Sequence, residues 1–406
     1  MEIPKVRAVG GTIFAVLVGV AAAAAIAGLV ALVRPAGQVP PERADPAAPR
    51  STAHPPDDED RGEPDPQFML ECGWMNEPAA SSSVDLRYDL AFRDPCLYND
   101  DHEIPLACGD CGRAYLEFAD HLPPWRVREI DAGTLDSMVR DPERFFGPRV
   151  TEPVARDTLA DILTDALNSS WLLGEMNRAP IRVMVVDQTV TNDVCSQVFV
   201  IDDPWVGRFA GWWLMPRKVS HRVPTIVAVH GHGDSPIAFH ERAFGERYPA
   251  AGFGLYLHAA RGTCLNDREA EISGALLRRG YSFLALQVYE HDVVTRMLRG
   301  FAHVGGIGTL GHSGGAVATN VTAIVNPLVA AHAYDSYSTY VDFLPDGTFS
   351  HAMAPALWPW HPVINGNYEP GREPVPRDAP PRLRVPYDLQ PRDVDLIVNF
   401  FAEHLR

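Results

Sequence analysis

Positive charge is scarce in this sequence of 406 residues. Lys and Arg together number 35 against 52 Asp and Glu, which gives a formal net charge of −17 at pH 7 with histidine neutral. Proteins that bind the phosphate backbone of nucleic acids use clusters of Lys and Arg to displace counterions. The sequence contains no such cluster, so a nucleic acid is excluded as the main partner.

Cysteine pairs with metal-binding spacing are also few. Cys108 and Cys111 form a C-x-x-C pattern in "CGDC", but no second C-x-x-C and no pair of histidines follows at the distance typical of zinc ribbons. The sequence therefore favours the absence of a metal site, and we expect no organic cofactor. The six cysteines of the chain are Cys72, Cys96, Cys108, Cys111, Cys195 and Cys264.

One long apolar run stands near the N-terminus. Residues 8–33 carry no charge and match the roughly 20 apolar residues that a membrane helix needs. We predict a transmembrane anchor over 1–34; a cleaved signal peptide, whose apolar core is normally shorter, is the alternative. Lys5 and Arg7 precede the run and acidic residues follow it, which places the bulk of the chain outside the cytoplasm. In that compartment the cysteines are expected to form disulfides, whose connectivity the sequence does not give.

The remaining chain divides into three segments by composition. Residues 35–66 are rich in proline and acidic side chains, which predicts a disordered linker. Residues 67–180 form a cysteine-containing extension or cap without a catalytic motif. Residues 181–406 alternate predicted strands, among them "VPTIVAV", "FLALQVY" and "VGGIGTLG", with predicted helices. This alternation predicts an α/β domain with a doubly wound, mostly parallel sheet.

A serine stands between glycines directly after one of these predicted strands. Gly311-His312-Ser313-Gly314-Gly315 matches G-x-S-x-G, in which glycines allow a sharp turn that exposes the serine between a strand and a helix. The alternative is that Ser313 only caps the helix that follows. The strand before and the helix after favour a nucleophile.

A nucleophilic serine also requires donors for the oxyanion that forms on the attacked carbonyl. One donor is the backbone N–H of the residue after the nucleophile, here Gly314. A second belongs to a glycine-rich loop after an earlier strand, and "HGHG" stands at the end of "PTIVAV". We therefore predict Gly314, Gly231 and His232 as the oxyanion hole.

These motifs together resemble the α/β-hydrolase superfamily. The segments "GRFAGWWLMPR", "PTIVAVHGHGDSP", "ALLRRGYSFLALQVYE" and "GGIGTLGHSGGAVAT" look like those of its dienelactone-hydrolase-like and acetyl-xylan-esterase-like branches, over residues 199–330. The resemblance implies a triad in the chain order serine, acid, histidine. It also implies that His312, beside the nucleophile, is structural.

The histidine of such a triad has to follow Ser313. His351 and His361 both lie in proline-flanked, loop-like sequence, and loop placement favours His351. His332 stands inside an apolar strand and is interpreted as a core residue, whereas His404 belongs to the terminal helix.

The sequence identifies the acid of the triad less clearly than the histidine. Asp335 ends the strand after the nucleophile helix, and we predict it as the acid that orients His351. The family pattern instead places the acid after the next strand and the histidine before the last helix, where this sequence has none. Asp388 as the acid, or an incomplete triad, therefore stays open. Glu290 and His291 follow the predicted strand "FLALQVY" and are interpreted as substrate-binding residues or helix caps.

The predicted function is a serine hydrolase that cleaves a carboxylic ester of a small molecule or a polysaccharide. A peptidase or acyltransferase on the same fold is one alternative, since fold does not settle chemistry. A degenerate hydrolase that serves as an extracytoplasmic binding module is the other.

Overall fold

A computed structural model describes most of the chain beyond the predicted linker. The described residues are 65–80, 82–90, 113–124, 126–176, 180–191, 193–262, 268–365 and 379–405. The predicted transmembrane segment and nearly all of the predicted linker lie outside these residues, as do Cys96, Cys108, Cys111 and Cys264. Across the described ranges, no helix combines the length and apolarity that a bilayer crossing requires.

Nine strands of the described chain form one mixed sheet. They are β1 Val84–Tyr88, β2 Ile181–Val190, β3 Val194–Asp203, β4 Gly207–Pro216, β5 Val223–Val229, β6 Gly254–His258, β7 Val304–Gly311, β8 Val329–Tyr334 and β9 Arg382–Arg384. Their order across the sheet is β1-β2-β3-β4-β6-β5-β7-β8-β9. The pairs β2–β3, β3–β4 and β4–β6 are antiparallel, and the other pairs are parallel. The α/β class and the predominance of parallel pairing are thus as predicted.

The centre of the sheet is set by an apolar strand. β5 reads "VPTIVAV", and all of its residues are buried. A strand covered by helices on both faces has to be apolar on both, because neither face meets water. β5 pairs in parallel with β6 on one side and with β7 on the other.

Helices cover both faces of this sheet. In chain order they are α1 Pro66–Cys72, α2 Arg113–His121, α3 Ala132–Arg140, α4 Pro142–Phe146, α5 Arg156–Ala166, α6 Ser170–Met176, α7 Pro236–Arg242, α8 Arg247–Ala250, α9 Glu269–Arg278, α10 Phe283–Arg299, α11 Gly314–Val325, α12 His361–Ile364 and α13 Pro391–Leu405, with short 3-10 helices at Gly73–Asn76 and Pro355–Trp360.

The predicted strand "FLALQVY" is wrong, because these residues begin the helix α10. The side chain of Ser282 accepts a hydrogen bond from the N–H of Ala285 and so caps the helix. α10 is buried on nearly all sides, so its first turns carry no polar face that would reveal a helical period. A short run that is apolar throughout does not distinguish a buried strand from a buried helix. The strand on this side of β5 is instead β6, which the sequence does not predict.

The segment 67–180 shares the sheet and the core with the residues that follow it. β1 extends the sheet beside β2, and a disulfide joins Cys72 of α1 to Cys195 of β3. The guanidinium of Arg156 donates hydrogen bonds of 2.7–3.1 Å to the carbonyls of Ala323, Ile324 and Asn326 at the C-terminal end of α11. A cation at this end of a helix satisfies carbonyls that have no partner within it.

We expect the disulfide to contribute measurably to stability. Its two cysteines are separated by 123 residues and are fully buried. Replacing both, as Cys72→Ala with Cys195→Ala, should lower the free energy of unfolding by about 2–5 kcal/mol, because the unfolded chain gains the freedom of a long open loop. Urea denaturation measures this difference. An unchanged free energy of unfolding in the double variant would contradict a stabilising role for this bond.

Candidate active site

The parallel strands bring four loops to one edge of the sheet. The chain runs from β5 to β6 on one side of β5 and later returns to β7 on its other side, which creates a switch point in the strand order. Ligand sites of open α/β sheets lie at the carboxyl ends of strands at such a point. The loops after β5, β6, β7 and β8 lead to Gly231, Glu269, Ser313 and His351, respectively.

Ser313 occupies a strained turn between β7 and α11. Its backbone has φ 48° and ψ −117°, a conformation that a residue with a side chain rarely adopts. A Cβ on Gly311 would lie 2.1 Å from Oγ1 of Thr319, and a Cβ on Gly315 would lie 2.3 Å from the carbonyl oxygen of Val229. The glycines two positions before and after the serine are therefore required by close packing, as the motif predicts.

Asp335 supports this turn and does not contact the predicted histidine. One carboxylate oxygen accepts the N–H of Ser313 at 2.8 Å, and the other accepts Nδ1–H of His312. Nε2 of His312 receives a hydrogen bond from Arg242, which only donates, so the His312 ring is neutral with its proton on Nδ1. Both nitrogens of His312 are thus engaged, which agrees with the structural role that the resemblance implies for it.

The predicted base, His351, is paired with a different carboxylate. Nδ1 of His351 lies 2.9 Å from Oε1 of Glu269, and its backbone N–H donates to the same oxygen. Glu269 is the first residue of α9, and both side chains are about 1% exposed. Because a carboxylate accepts, Nδ1 of His351 carries a proton. Nε2 faces the carbonyl oxygen of Gly314 at 3.2 Å, which is also an acceptor. In the neutral ring protonated on Nδ1, Nε2 holds a lone pair that can accept a proton once the ring turns from that carbonyl. That is the tautomer a general base requires.

His232 contacts the same carboxylate oxygen as His351. Its Nε2 lies 2.9 Å from Oε1 of Glu269, and its ring meets that of His351 edge to face, with centroids 4.3 Å apart. Unlike the other two, the side chain of His232 is 35% exposed. A Cβ on Gly314 would lie 2.8 Å from Nδ1 of His232 and 2.9 Å from Cε1 of His351. Both imidazoles therefore border the residue after the serine.

The carboxyl of Glu269 is held in its charged form. Burial by itself would raise its pKa, but the hydrogen bonds and charges of His232 and His351 outweigh burial and lower the pKa well below its usual value. A negative charge in this position stabilises an imidazolium on either histidine.

The predicted oxyanion donors lie beside the serine. A Cβ on Gly231 would stand 2.7 Å from Cβ of Ser313, so the loop after β5 touches the nucleophile turn. Gly314 is the first residue of α11, where a helix has N–H groups without an internal partner. Within the described part of the chain, the N–H groups of Gly231 and Gly314 have no hydrogen-bond acceptor. Both are therefore available to a substrate oxygen.

The hydroxyl of Ser313 itself is not yet engaged. It makes no hydrogen bond among the residues that the structure describes, and Nε2 of His351 lies 3.2 Å from the carbonyl oxygen of Gly314. Catalytic hydrogen bonds often tighten only when substrate is bound, so this geometry is compatible with a serine–histidine pair.

Glu290 and His291 are buried inside the molecule and are not accessible to a substrate. Both belong to α10 and are at most 1% exposed. The Glu290 carboxylate accepts hydrogen bonds from Arg261 and, at 3.2 Å, from His258, whereas Nδ1 of His291 contacts the Thr322 hydroxyl at 3.0 Å. The predicted substrate contacts rested on a strand end that does not exist, because α10 replaces that strand.

His230 holds the start of the loop after β5 in place. Nε2 of His230 accepts the N–H of Ala260 at 3.0 Å, which leaves the proton on Nδ1 for the carbonyl of Gly231 at 2.8 Å. Burial lowers the pKa of His230 from 6.5 to about 4. The ring therefore stays neutral at neutral pH, and both of its nitrogens keep these roles.

The sequence does not single out Glu269. It stands in the first turn of a predicted helix, where acidic residues are common because they complement the helix dipole. The only signal that would have marked it is its place after a strand at the carboxyl edge of the sheet. That strand, β6, has only five residues and begins with Gly254, so the sequence does not predict it.

We expect acidification to destabilise the fold through His230. Its pKa is about 4 in the folded protein and 6.5 when unperturbed. As pH falls, the unfolded chain therefore binds the proton first, so the stabilisation is complete above pH 6.5 and is lost as pH falls through 4. The buried His291 and His332, whose pKa values are also lowered by burial, act in the same direction.

The measurement is the free energy of unfolding in urea at pH 7.5 and at pH 4. The loss between these values should be smaller in His230→Gln than in the unaltered chain by up to about 3 kcal/mol, at about 1.4 kcal/mol per pKa unit. His221→Gln, at an exposed site, is the matched control and should keep the full loss. Equal losses in all three proteins would contradict the role of His230.

No protein-family model matches the chain, and no curated protein does either. An acetyl xylan esterase from Paenibacillus sp. R4 is similar in structure, with a TM-score of 0.40 and 14% identity over 66% of this chain and 99% of that one. A glucuronoyl esterase from Solibacter usitatus has a TM-score of 0.37 and 10% identity over 54% and 85%. A methylesterase has a TM-score of 0.41 and 15% identity over 79% and 82%. At these TM-scores and identities, the likeness assigns neither a family nor a substrate to this chain.

Proposed function

We propose that the protein is a serine hydrolase that cleaves carboxylic esters with Ser313 as nucleophile, His351 as base and Glu269 as acid. The observation that carries this proposal is the position of a buried, oriented histidine–carboxylate pair beside a strained serine turn. A turn of this kind costs free energy, and such strain persists mainly at functional sites.

Glu269 replaces Asp335 as the acid in this proposal. A triad acid has to accept the proton on Nδ1 of the base histidine so that Nε2 is free. Glu269 does this for His351, whereas both oxygens of Asp335 already bind the Ser313 N–H and His312. Asp335 then serves as a positioning residue that fixes the backbone of the nucleophile.

The first half of the reaction forms an acyl-enzyme. Oγ of Ser313 attacks the ester carbonyl carbon while Nε2 of His351 takes the hydroxyl proton, and the carbonyl oxygen becomes an oxyanion. The N–H groups of Gly314 and of the Gly231-His232 loop donate to that oxyanion. Glu269 stabilises the imidazolium at a distance of 2.9 Å. When the carbon–oxygen bond of the ester breaks, the leaving alcohol receives the proton from His351.

The second half returns the enzyme to its starting state. His351 takes a proton from water, whose oxygen attacks the acyl carbon, and the released serine oxygen recovers a proton from His351. The half-exposed Ser313 is open to substrate, in contrast to the buried His351. We infer a small-molecule or polysaccharide ester as the substrate, since the site supplies a nucleophile and oxyanion donors and requires no further group.

The proposed location remains a membrane-anchored protein with its catalytic part outside the cytoplasm. The disulfide between the buried Cys72 and Cys195 supports this proposal, because disulfides persist in oxidising compartments. The anchor itself is proposed from the apolar run over residues 8–33.

A fluorophosphonate probe tests whether Ser313 is an activated nucleophile. We expect the full chain in detergent to be labelled, and Ser313→Ala and His351→Ala to abolish labelling, because one removes the nucleophile and the other its base. Mass spectrometry of the labelled peptide identifies the modified residue. A folded chain that is never labelled would show that the site is not a serine hydrolase and would favour the binding-module alternative.

Two conservative substitutions distinguish the acids. Glu269→Gln should lower the rate of hydrolysis of a short-chain nitrophenyl ester by about 10³–10⁴-fold, because an amide favours the wrong tautomer of His351. Asp335→Asn should lower the free energy of unfolding by about 1–3 kcal/mol, because a buried charged hydrogen bond to His312 is lost, and should reduce the rate far less. If Asp335→Asn reduces the rate as much as Glu269→Gln, then Asp335 is the acid.

A further inference from the structure

The residues around Glu269 have a second chemical capacity. His232, Glu269 and His351 each offer one ligand atom, and these three atoms all lie within 4.8 Å of one another. Two of the separations, from Oε1 of Glu269 to Nε2 of His232 and to Nδ1 of His351, are 2.9 Å. We propose that these three side chains bind one Zn²⁺ ion, and that the bound ion inhibits the hydrolase. The inhibition rests on the proposed function, whereas the binding does not.

The donor set determines the class of metal. Two imidazole nitrogens and one carboxylate oxygen are the ligands of zinc and related transition metals, whereas magnesium and calcium prefer oxygen ligands. In a tetrahedral zinc site with bonds of about 2.0–2.2 Å, neighbouring ligand atoms are roughly 3.4 Å apart. The 2.9 Å separations therefore have to widen by about half an ångström. A rotation of the half-exposed His232 ring supplies part of this movement.

The surroundings favour binding and provide a path for the ion. Glu269 and His351 are about 1% exposed, so water competes little for their ligand atoms. His232 is 35% exposed and stands at the outer side of the cluster. An ion can therefore enter past His232 and be held by the two buried groups.

The inhibition follows from the position of one proton. Without metal, Glu269 accepts Nδ1–H of His351, which leaves Nε2 as the lone pair that takes the proton of Ser313. A metal bound at Nδ1 displaces that proton, and a neutral ring then carries its remaining proton on Nε2. In this tautomer His351 has no free nitrogen with which to accept a proton from Ser313. Zinc and the catalytic tautomer therefore exclude each other at the same ring.

Calorimetric titration of the full chain in detergent with ZnCl₂ tests the binding. We expect one equivalent whose affinity falls by more than about tenfold in both His232→Gln and Glu269→Gln, since loss of even an outer partner of a metal ligand costs 10–100-fold. The matched control is His303→Gln: His303 also pairs with a carboxylate, Glu77, at 2.8 Å, but it belongs to no cluster of three ligands in the described residues. Melting temperatures without zinc establish that the variants fold.

Fluorophosphonate labelling of the unaltered chain tests the inhibition. The labelling rate should fall in proportion to zinc occupancy and should recover when a chelator is added. Zinc binding that is equally tight in the control, His232→Gln and Glu269→Gln would overturn the site, and labelling that is unchanged or faster at saturating zinc would overturn the inhibition. A chain that is labelled but binds no zinc retains the proposed function and loses this inference. A chain that binds zinc through His232 but is never labelled retains the metal site and loses the hydrolase.

Discussion

The close approach of the chain after β7 to the chain after β5 is the constraint from which the site follows. At Gly315 and Gly231 the two segments touch so closely that a single Cβ would collide with the neighbouring backbone or with Ser313. This contact places the loop after β5 against the turn of Ser313, whose backbone has a positive φ. The hydroxyl is thereby presented at the sheet edge, where the loops after β6 and β8 deliver Glu269 and His351.

The two buried carboxylates, those of Asp335 and Glu269, contact different parts of the site. Asp335 acts on the backbone, because it accepts the Ser313 N–H and locks His312 between itself and Arg242. Glu269 contacts the imidazole of His351 and accepts the hydrogen bond from its Nδ1–H. Asp335 directly follows β8, whereas Glu269 is the first residue of α9.

The sequence predicted those features that depend on local chemistry. The G-x-S-x-G turn and the loop around Gly231 can be predicted because both require glycines at positions where a side chain would collide. The structure places both at the expected strand ends. The position of His351 in a loop was also predicted. Glu269 and β6 were missed, because a five-residue strand and an acidic residue in a first helical turn have no local pattern of their own. The first residues of α10 are predicted as a strand because a helix that is buried on all sides has no polar residues at helical spacing. The predicted placement of Glu290 and His291 depends on that strand and is wrong for the same reason.

The hydrogen bonds of Arg156 bear on whether residues 67–180 can be separated from the residues that follow them. The helix α11 begins at the turn of Ser313, and the carbonyls at its other end accept hydrogen bonds from Arg156, which lies in the segment before the long strands. β1 from that same segment covers the edge of β2, and an uncovered edge strand invites pairing between molecules. The protein therefore cannot be reduced to its α/β half at residue 181.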